Sequence, residues 1–253
     1  MSYSFIDAHT HIQFKSCDAD REGIILRAKE AGVAMINAGA DVKTSKDAII
    51  LAHQHNTMWA TIGIHPTEAG TVEEIAEYAR DEKVVGIGEC GLEYFRLNDE
   101  SKKEGQKKLF QKHIDLAHQV QKPLVIHCRE AFADTIEMLK QNKEKLLSRP
   151  GALHFFTGTL SDAHELMSMG FYFTFGGLIT FNRTFDEVIK TIPRENILLE
   201  TDAPWVAPKS HRGQANEPSY ITEIYEALAN VWGVSLEQTR KKVVSNTQAL
   251  FRV

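Results

Sequence analysis

Short runs of β-branched, aromatic and aliphatic residues recur along this chain. Each is followed by a longer stretch in which apolar residues return every three or four positions. The runs predict eight strands, at residues 5–11, 34–38, 58–64, 84–89, 124–127, 152–155, 172–175 and 197–200. They are mostly apolar on both faces, as parallel strands covered on both sides must be.

The stretches between them have the period of helices. Phe185, Val188, Ile189 and Ile192 recur at i, i+3, i+4 and i+7, and Ile221, Ile224, Tyr225, Leu228 and Trp232 form a second stripe of the same kind. Thr71 with Glu74, Thr184 with Glu187 and Ser235 with Gln238 have capping-box spacing. Gly32 and Gly170 stand where a helix must stop before the next strand, a place that favours left-handed backbone. Eight β/α units in succession predict a closed (β/α)₈ TIM-like barrel, with an open doubly wound sheet as the alternative. No Pro/Gly/Ser-rich linker or low-complexity tract divides the chain, so residues 1–253 are expected to form one domain.

Composition narrows the class. With 43% hydrophobic and 25% charged residues the chain reads as a soluble globular protein. A chain of 253 residues buries enough apolar surface to fold without disulfides or a structural metal, so a metal here would serve chemistry. The net charge of −5 argues against a protein that coats duplex nucleic acid. The N-terminal residues do not resemble a signal peptide and no apolar run has the length of a membrane span, so a cytoplasmic location without membrane association is expected. Cys17, Cys90 and Cys128 have no CxxC spacing and fit a reducing compartment. Strand alternation turns Cys90 and Cys128 away from the residues that precede them, so they read as buried small apolar groups.

Against this frame, six potential metal ligands fall at the predicted ends of five different strands: His9 and His11, Glu89, His127, His154 and Asp202. Residues two apart on a strand face the same way, so His9 and His11 can reach one ion. Glu89 sits among glycines, and a carboxylate can bridge two cations with its two oxygens. Taken singly, each has an ordinary explanation: a core histidine, a loop glutamate, a turn-initiating aspartate ahead of Pro204. Five strand ends that carry such a group together point to one shared pocket at the carboxyl-terminal rim of a barrel. Arg129, two residues after His127, suits a phosphate or a carboxylate.

With these residues in view the chain resembles the TatD family of metal-dependent hydrolases, within the amidohydrolase-like superfamily. The matching blocks are Asp-Ala-His-Thr-His (7–11), Gly-Ile-His-Pro (63–66), Gly-Glu-Cys-Gly-Leu (88–92) and Ile-His-Cys-Arg-Glu (126–130). Leu-His-Phe-Phe-Thr-Gly (153–158), Glu-Thr-Asp-Ala-Pro (200–204), Asn-Glu-Pro (216–218) and Asn-Thr-Gln-Ala-Leu-Phe (246–251) follow in order. The resemblance implies a distorted barrel holding two divalent metal ions (Mg²⁺, Mn²⁺ or Zn²⁺). His9, His11 and Asp202 would hold one, His127 and His154 the other, and Glu89 would bridge them.

The activity implied is that of a deoxyribonuclease, a 3′→5′ exonuclease working on single-stranded or frayed DNA as a monomer, with hydroxide activated by the two ions. Glu89 and Asp202 are the expected catalytic residues, Asp202 as the acceptor of the water's proton. Arg129 and His65 are the expected substrate contacts, with Lys209 and Arg212 as further phosphate candidates; His65 equally suits a supporting structural role. Trp205, Phe181 and Tyr94 lie in predicted loops after strands, where they would either stack an unpaired base or pack. Hydrolysis of a small amide, ester or lactone is the alternative, and a non-catalytic binding barrel a further one. Three departures from the family pattern bear on substrate choice: Glu93 in place of Asp, Phe155 in place of Cys or Ser, and a stretch at 211–215 poorer in basic residues. Glu93 and that stretch would line the mouth of the pocket.

Overall fold

The computed structural model describes residues 3–95, 97 and 99–253. Eight parallel strands, β1 (Phe5–Thr10), β2 (Val33–Ala38), β3 (Met58–Ile62), β4 (Val84–Glu93), β5 (Leu124–Arg129), β6 (Gly151–Leu153), β7 (Tyr172–Phe175) and β8 (Ile197–Leu199), pair strictly in chain order. The helices between and after them are α1 (Arg21–Glu30), α2 (Val42–Gln54), α3 (Val72–Ala76), α4 (Ser101–Val120), α5 (Phe132–Gln141), α6 (Leu160–Ser168), α7 (Asp186–Thr191), α8 (Ile221–Trp232) and α9 (Leu236–Phe251).

Sequential order excludes the doubly wound alternative, and β8 returns beside β1. The seam is closed by the segment that follows β8: the Asp202 amide donates to His9 O (3.0 Å) and the His11 amide to Ala203 O (2.8 Å). The barrel is therefore nearly closed, and distorted where β1, β3, β4 and β5 shift register. Two of these shifts, between Asp7 and Thr10 and between Ile87 and Cys90, span His9, just ahead of His11, and Glu89. A bulge next to a site re-aims the side chains beside it.

Alternation sorts the apolar residues into two cores. Ala8, Ile36, Val85, Val125, Ala152 and Leu198, with Trp59 and Tyr172, supply one residue from each strand to a cluster that can only lie inside the barrel; Leu250 and Phe251 of α9 close it. Their neighbours in sequence, such as Val84, Ile126, Leu153 and Leu199, face the helices instead and pack with Phe110, Ile114, Leu166 and Leu228. The α8 stripe is buried throughout, and the Tyr225 hydroxyl at its centre donates to Ile6 O and accepts from Ile6 N.

The capping boxes expected at Thr71 and Ser235 are present. The one expected at Thr184 is not: Asn182 Oδ1 accepts from both the amide and the hydroxyl of Thr184, and α7 starts at Asp186. Gly32 and Gly170 both have positive φ just past α1 and α6. No described helix is long and apolar enough to cross a membrane.

One buried histidine away from the pocket makes the fold sensitive to acid. His113 of α4 donates from Nδ1 to Leu109 O and accepts at Nε2 the amide proton of Ile64, which anchors the end of β3. Burial lowers its pKa from 6.5 to about 4, because protonation would turn Nε2 into a donor facing a donor. The unfolded chain thus binds a proton that the fold excludes, so this group costs nothing above pH 6.5 and stability falls as pH drops toward 4, by at most about 1.4 kcal/mol per pH unit. Urea unfolding between pH 7 and 4.5 should show a shallower slope in His113→Asn than in the native protein, where His65 adds its own share. Equal slopes in the two proteins would refute it.

Candidate metal centre

All six residues singled out as ligands meet at one rim of the barrel, and the structure adds His65 to them. Glu89 is at the centre, buried to 5% exposure. Its two oxygens divide the imidazoles. Oε2 lies 3.5 Å from His9 Nε2 and 3.6 Å from His11 Nε2. Oε1 lies 3.0 Å from His127 Nδ1, 3.1 Å from His154 Nε2 and 3.5 Å from His65 Nε2. Asp202 Oδ1 joins the first group, 3.4 Å from His11 Nε2 and 3.8 Å from His9 Nε2.

Glu89 does not end its strand, as the sequence reading expected, because β4 continues to Glu93 in register with β5 as far as Arg129. The glycines on either side of Glu89 allow the close backbone approach that their position suggests. A Cβ on Gly88 would lie 2.2 Å from Val125 O and one on Gly91 2.1 Å from His127 O, both at positive φ. His11 and His154 stand one residue beyond β1 and β6, whereas His127 is still within β5. Asp202 is three residues past β8, with a left-handed φ of 55° that is costly for a non-glycine residue. Asp7, one turn of the pleat before His9, accepts from the amide and hydroxyl of Thr201 and so fixes the start of that segment. Burial raises the Asp7 pKa to about 8.

The outward-facing nitrogens decide which imidazoles present a lone pair to the centre. His11 Nδ1 donates to Ala38 O (2.7 Å), His127 Nε2 to Glu93 Oε2 (3.1 Å) and His154 Nδ1 to Glu200 Oε1 (3.3 Å). With the proton held outside, the inner nitrogen of each is free to act as a ligand. His65 is the reverse: its Nδ1 accepts from the Thr67 amide and hydroxyl, so Nε2 carries the proton and donates toward Glu89. Burial lowers its pKa to about 4, which keeps the ring neutral. His9 Nδ1, although buried, has no hydrogen-bond partner.

Burial acts to raise the Glu89 pKa, but the facing imidazoles of His154, His65 and His127 outweigh it and hold the carboxyl well below its usual range. Asp202 is lowered in the same way by His11, His154 and His9 against its burial. In His127 and His154 the carboxylates overcome desolvation and raise the pKa. Anionic carboxylates beside buried imidazoles, which must give up a proton to bind a cation, are a donor set of mixed N and O type that suits a divalent transition ion or zinc better than magnesium alone. Three groupings of these donors have ligand atoms within 4.8 Å of one another: His9–His11–Glu89, His9–His154–Asp202 and His65–Glu89–His127.

The pairing of Glu93 with His127 and of Glu200 with His154 has no signal in the sequence, since nothing in spacing pairs a strand residue with an imidazole on its neighbour. Glu93, expected at the pocket mouth, is buried and turned inward onto His127 and the Phe95 amide. The 211–215 stretch does not line the pocket either: His211 stacks on Tyr220 at 3.6 Å and bonds Glu223. Cys90 and Cys128 are buried away from the centre, Cys90 against Val125 O and Cys128 against the Thr135 hydroxyl, and burial raises both thiols.

The centre opens into a pocket of about 270 Å³ that continues into a groove of about 780 Å³; His127, His154, Asp202 and Trp205 line both. Arg129 is exposed in the groove wall with its guanidinium over the Phe95 ring (4.0 Å). Lys209 and Arg212 line neither cavity, and Arg212 covers Phe181 instead. Tyr94 is committed to a hydrogen bond with Asp134.

A parallel β/α barrel that gathers carboxylates and imidazoles around one point at its strand ends has the place and the donor set of a metal-dependent hydrolase. The sequence profile described as TatD related DNase matches residues 6–252, so the chain belongs to the TatD family of metal-dependent hydrolases. It is 36% identical to the uncharacterized metal-dependent hydrolase YabD of Bacillus subtilis, over 98% of each chain. It is 33% identical to the 3′-5′ ssDNA/RNA exonuclease TatD of Erwinia amylovora, over 92% of this chain and 93% of that one. The crystal structure of YJJV, a TatD homologue from Escherichia coli K12, superposes with a TM-score of 0.91 at 28% identity over the whole of both chains.

Proposed function

We propose that the protein is a phosphodiesterase that releases nucleotides from the 3′ end of single-stranded or frayed DNA, with two divalent cations shared through Glu89. The observation that carries this reading is the division of imidazoles between the two Glu89 oxygens. His9, His11 and Asp202 would hold one cation, His127 and His154 the other. Bound there, the pair would lower the pKa of water and offset the charge that develops on a phosphoryl group.

The remaining roles belong to the chain's own groups. Asp202 Oδ1, an ionised carboxylate at the pocket wall, takes the proton of the attacking water and returns it to the leaving oxygen. His65 Nε2–H donates to Glu89 and fixes its orientation. Arg129 lies where the strand would leave the pocket and suits a second phosphate. The name of the Erwinia amylovora relative supports this polarity and a single-stranded substrate.

The test is a 5′-labelled single-stranded oligonucleotide incubated with Mn²⁺. The expected product is a ladder that shortens from the 3′ end, with circular single-stranded DNA resistant. Cleavage of the circle at an equal rate would overturn the exonuclease assignment. Turnover of lactones or amides with no shortening of DNA would replace it with acyl hydrolysis.

A further inference from the structure

We infer that the groove beside the metal pocket is a nucleobase subsite, with Trp205 as its stacking platform, so that the enzyme reads the presence of a base next to the bond it cuts. This rests on the phosphodiesterase reading above and specifies the substrate for that same site.

Size is the first argument. The metal pocket, at about 270 Å³, has room for a phosphate group but falls below the range of about 300–1,000 Å³ usual for small-molecule sites. The groove, at about 780 Å³, lies within that range and shares four residues with the pocket. A phosphate ester seated in the pocket thus has the groove beside it to receive its next group.

Charge is the second. Among the described lining residues, Glu130, Asp162 and Asp202 oppose one guanidinium, that of Arg129. Arg129 can meet one phosphate, but the acidic side chains would repel a run of them, whereas an uncharged planar ring meets no such repulsion. The remaining walls favour such a ring, since Phe132, Phe155, Leu178 and Val206 all line the groove.

Placement of Trp205 is the third. It lines both cavities, so it stands at the passage from one to the other. Edge-to-face contacts with His11 (5.1 Å) and Phe14 (5.6 Å) fix its indole, yet 46% of the residue stays exposed. A large aromatic that is held in place and left open is costly in water and suited to stacking. Phe155 is fixed as well: its ring lies against Gly176, where a Cβ would come within 2.8 Å, and its backbone has a left-handed φ of 46°.

The experiment compares 3′→5′ trimming of an intact oligonucleotide with that of two oligonucleotides carrying an abasic site at the last or the penultimate 3′ position. One of the abasic substrates should show kcat/KM lowered by about tenfold, the scale of one base–aromatic stack. Trp205→Ala should bring that ratio close to one, and Trp205→Phe, which keeps a ring, should retain most of it. Equal trimming of all three substrates by the native enzyme, or an unchanged ratio in Trp205→Ala, would overturn the subsite while leaving the nuclease reading intact. If no oligonucleotide is shortened at all, the nuclease reading falls, and this inference with it.

Discussion

Replacing Glu89 with Gln is expected to lower metal-dependent turnover by at least about a thousandfold, beyond the ~10–100-fold typical of residues that only orient a ligand. Both oxygens of this carboxylate are engaged, one with His9 and His11 and the other with His127, His154 and His65. An amide keeps one acceptor and turns the other position into an NH₂ donor, which would face imidazole nitrogens oriented to bind a cation. Whichever way the amide settles, one half of the site is opposed by a donor, and the negative charge that would serve both halves is gone. The fold should persist, because the β4 ladder with β3 and β5 involves backbone groups that the substitution leaves in place. The checks are kcat on an oligonucleotide, far-ultraviolet circular dichroism, and bound-metal content by elemental analysis, which should fall from two ions to one or fewer. A folded Glu89→Gln protein with near-native turnover would refute the bridging role.

Much of this site was legible because barrel strands deliver their carboxyl-terminal residues to one face. Five widely separated strand ends each carrying His, Glu or Asp made a shared pocket the economical reading. What stayed hidden depends on which strands become neighbours and how the chain bends after leaving them. Glu93 and Glu200 acquire their roles from imidazoles 34 and 46 residues away, His127 and His154. The glycines beside Glu89 admit the β5 backbone as their position suggests, but that same contact carries β4 on to Glu93, which the apolar run ending at residue 89 does not show.

The Asn-Glu-Pro block carried no readable chemistry, yet Asn216 Nδ2 donates to Thr201 O (2.7 Å) and Trp205 O (2.8 Å), which pins the segment that presents Asp202 and Trp205. Glu217 then secures that segment to α1 through Arg27 (2.7 Å). The groove was unreadable for the same reason, since its wall is assembled from segments after β5, β6, β7 and β8. Of the three aromatics considered for stacking, only Trp205 is left free by its neighbours; Arg212 covers Phe181 and Asp134 holds Tyr94.

Stripping divalent ions with a chelator is expected to abolish turnover, and returning Mn²⁺ or Zn²⁺ should restore it and raise the melting temperature. A ligand that binds only the folded state at a hundredfold excess over its Kd stabilises by about 2.7 kcal/mol. For a chain of this size each kcal/mol moves Tm by about 2–4 °C, so one filled site should give a rise of roughly 5–10 °C, and two sites more. The split around Glu89 predicts two separable steps. A His9→Ala/His11→Ala variant should lose one and keep the other, and a His127→Ala/His154→Ala variant should show the opposite pattern, because each pair faces a different carboxylate oxygen. Binding also has to displace protons from imidazoles whose pKa the carboxylates raise, so the Tm rise at a fixed metal concentration should shrink as pH falls below neutrality. Differential scanning calorimetry of stripped protein, titrated with one metal at a time at pH 7.5 and pH 6, reads all three effects. A native protein whose Tm ignores millimolar Mn²⁺, Zn²⁺ and Mg²⁺ alike would show that these converging side chains do not bind a cation, and the catalytic assignment of Glu89 and Asp202 would fail with it.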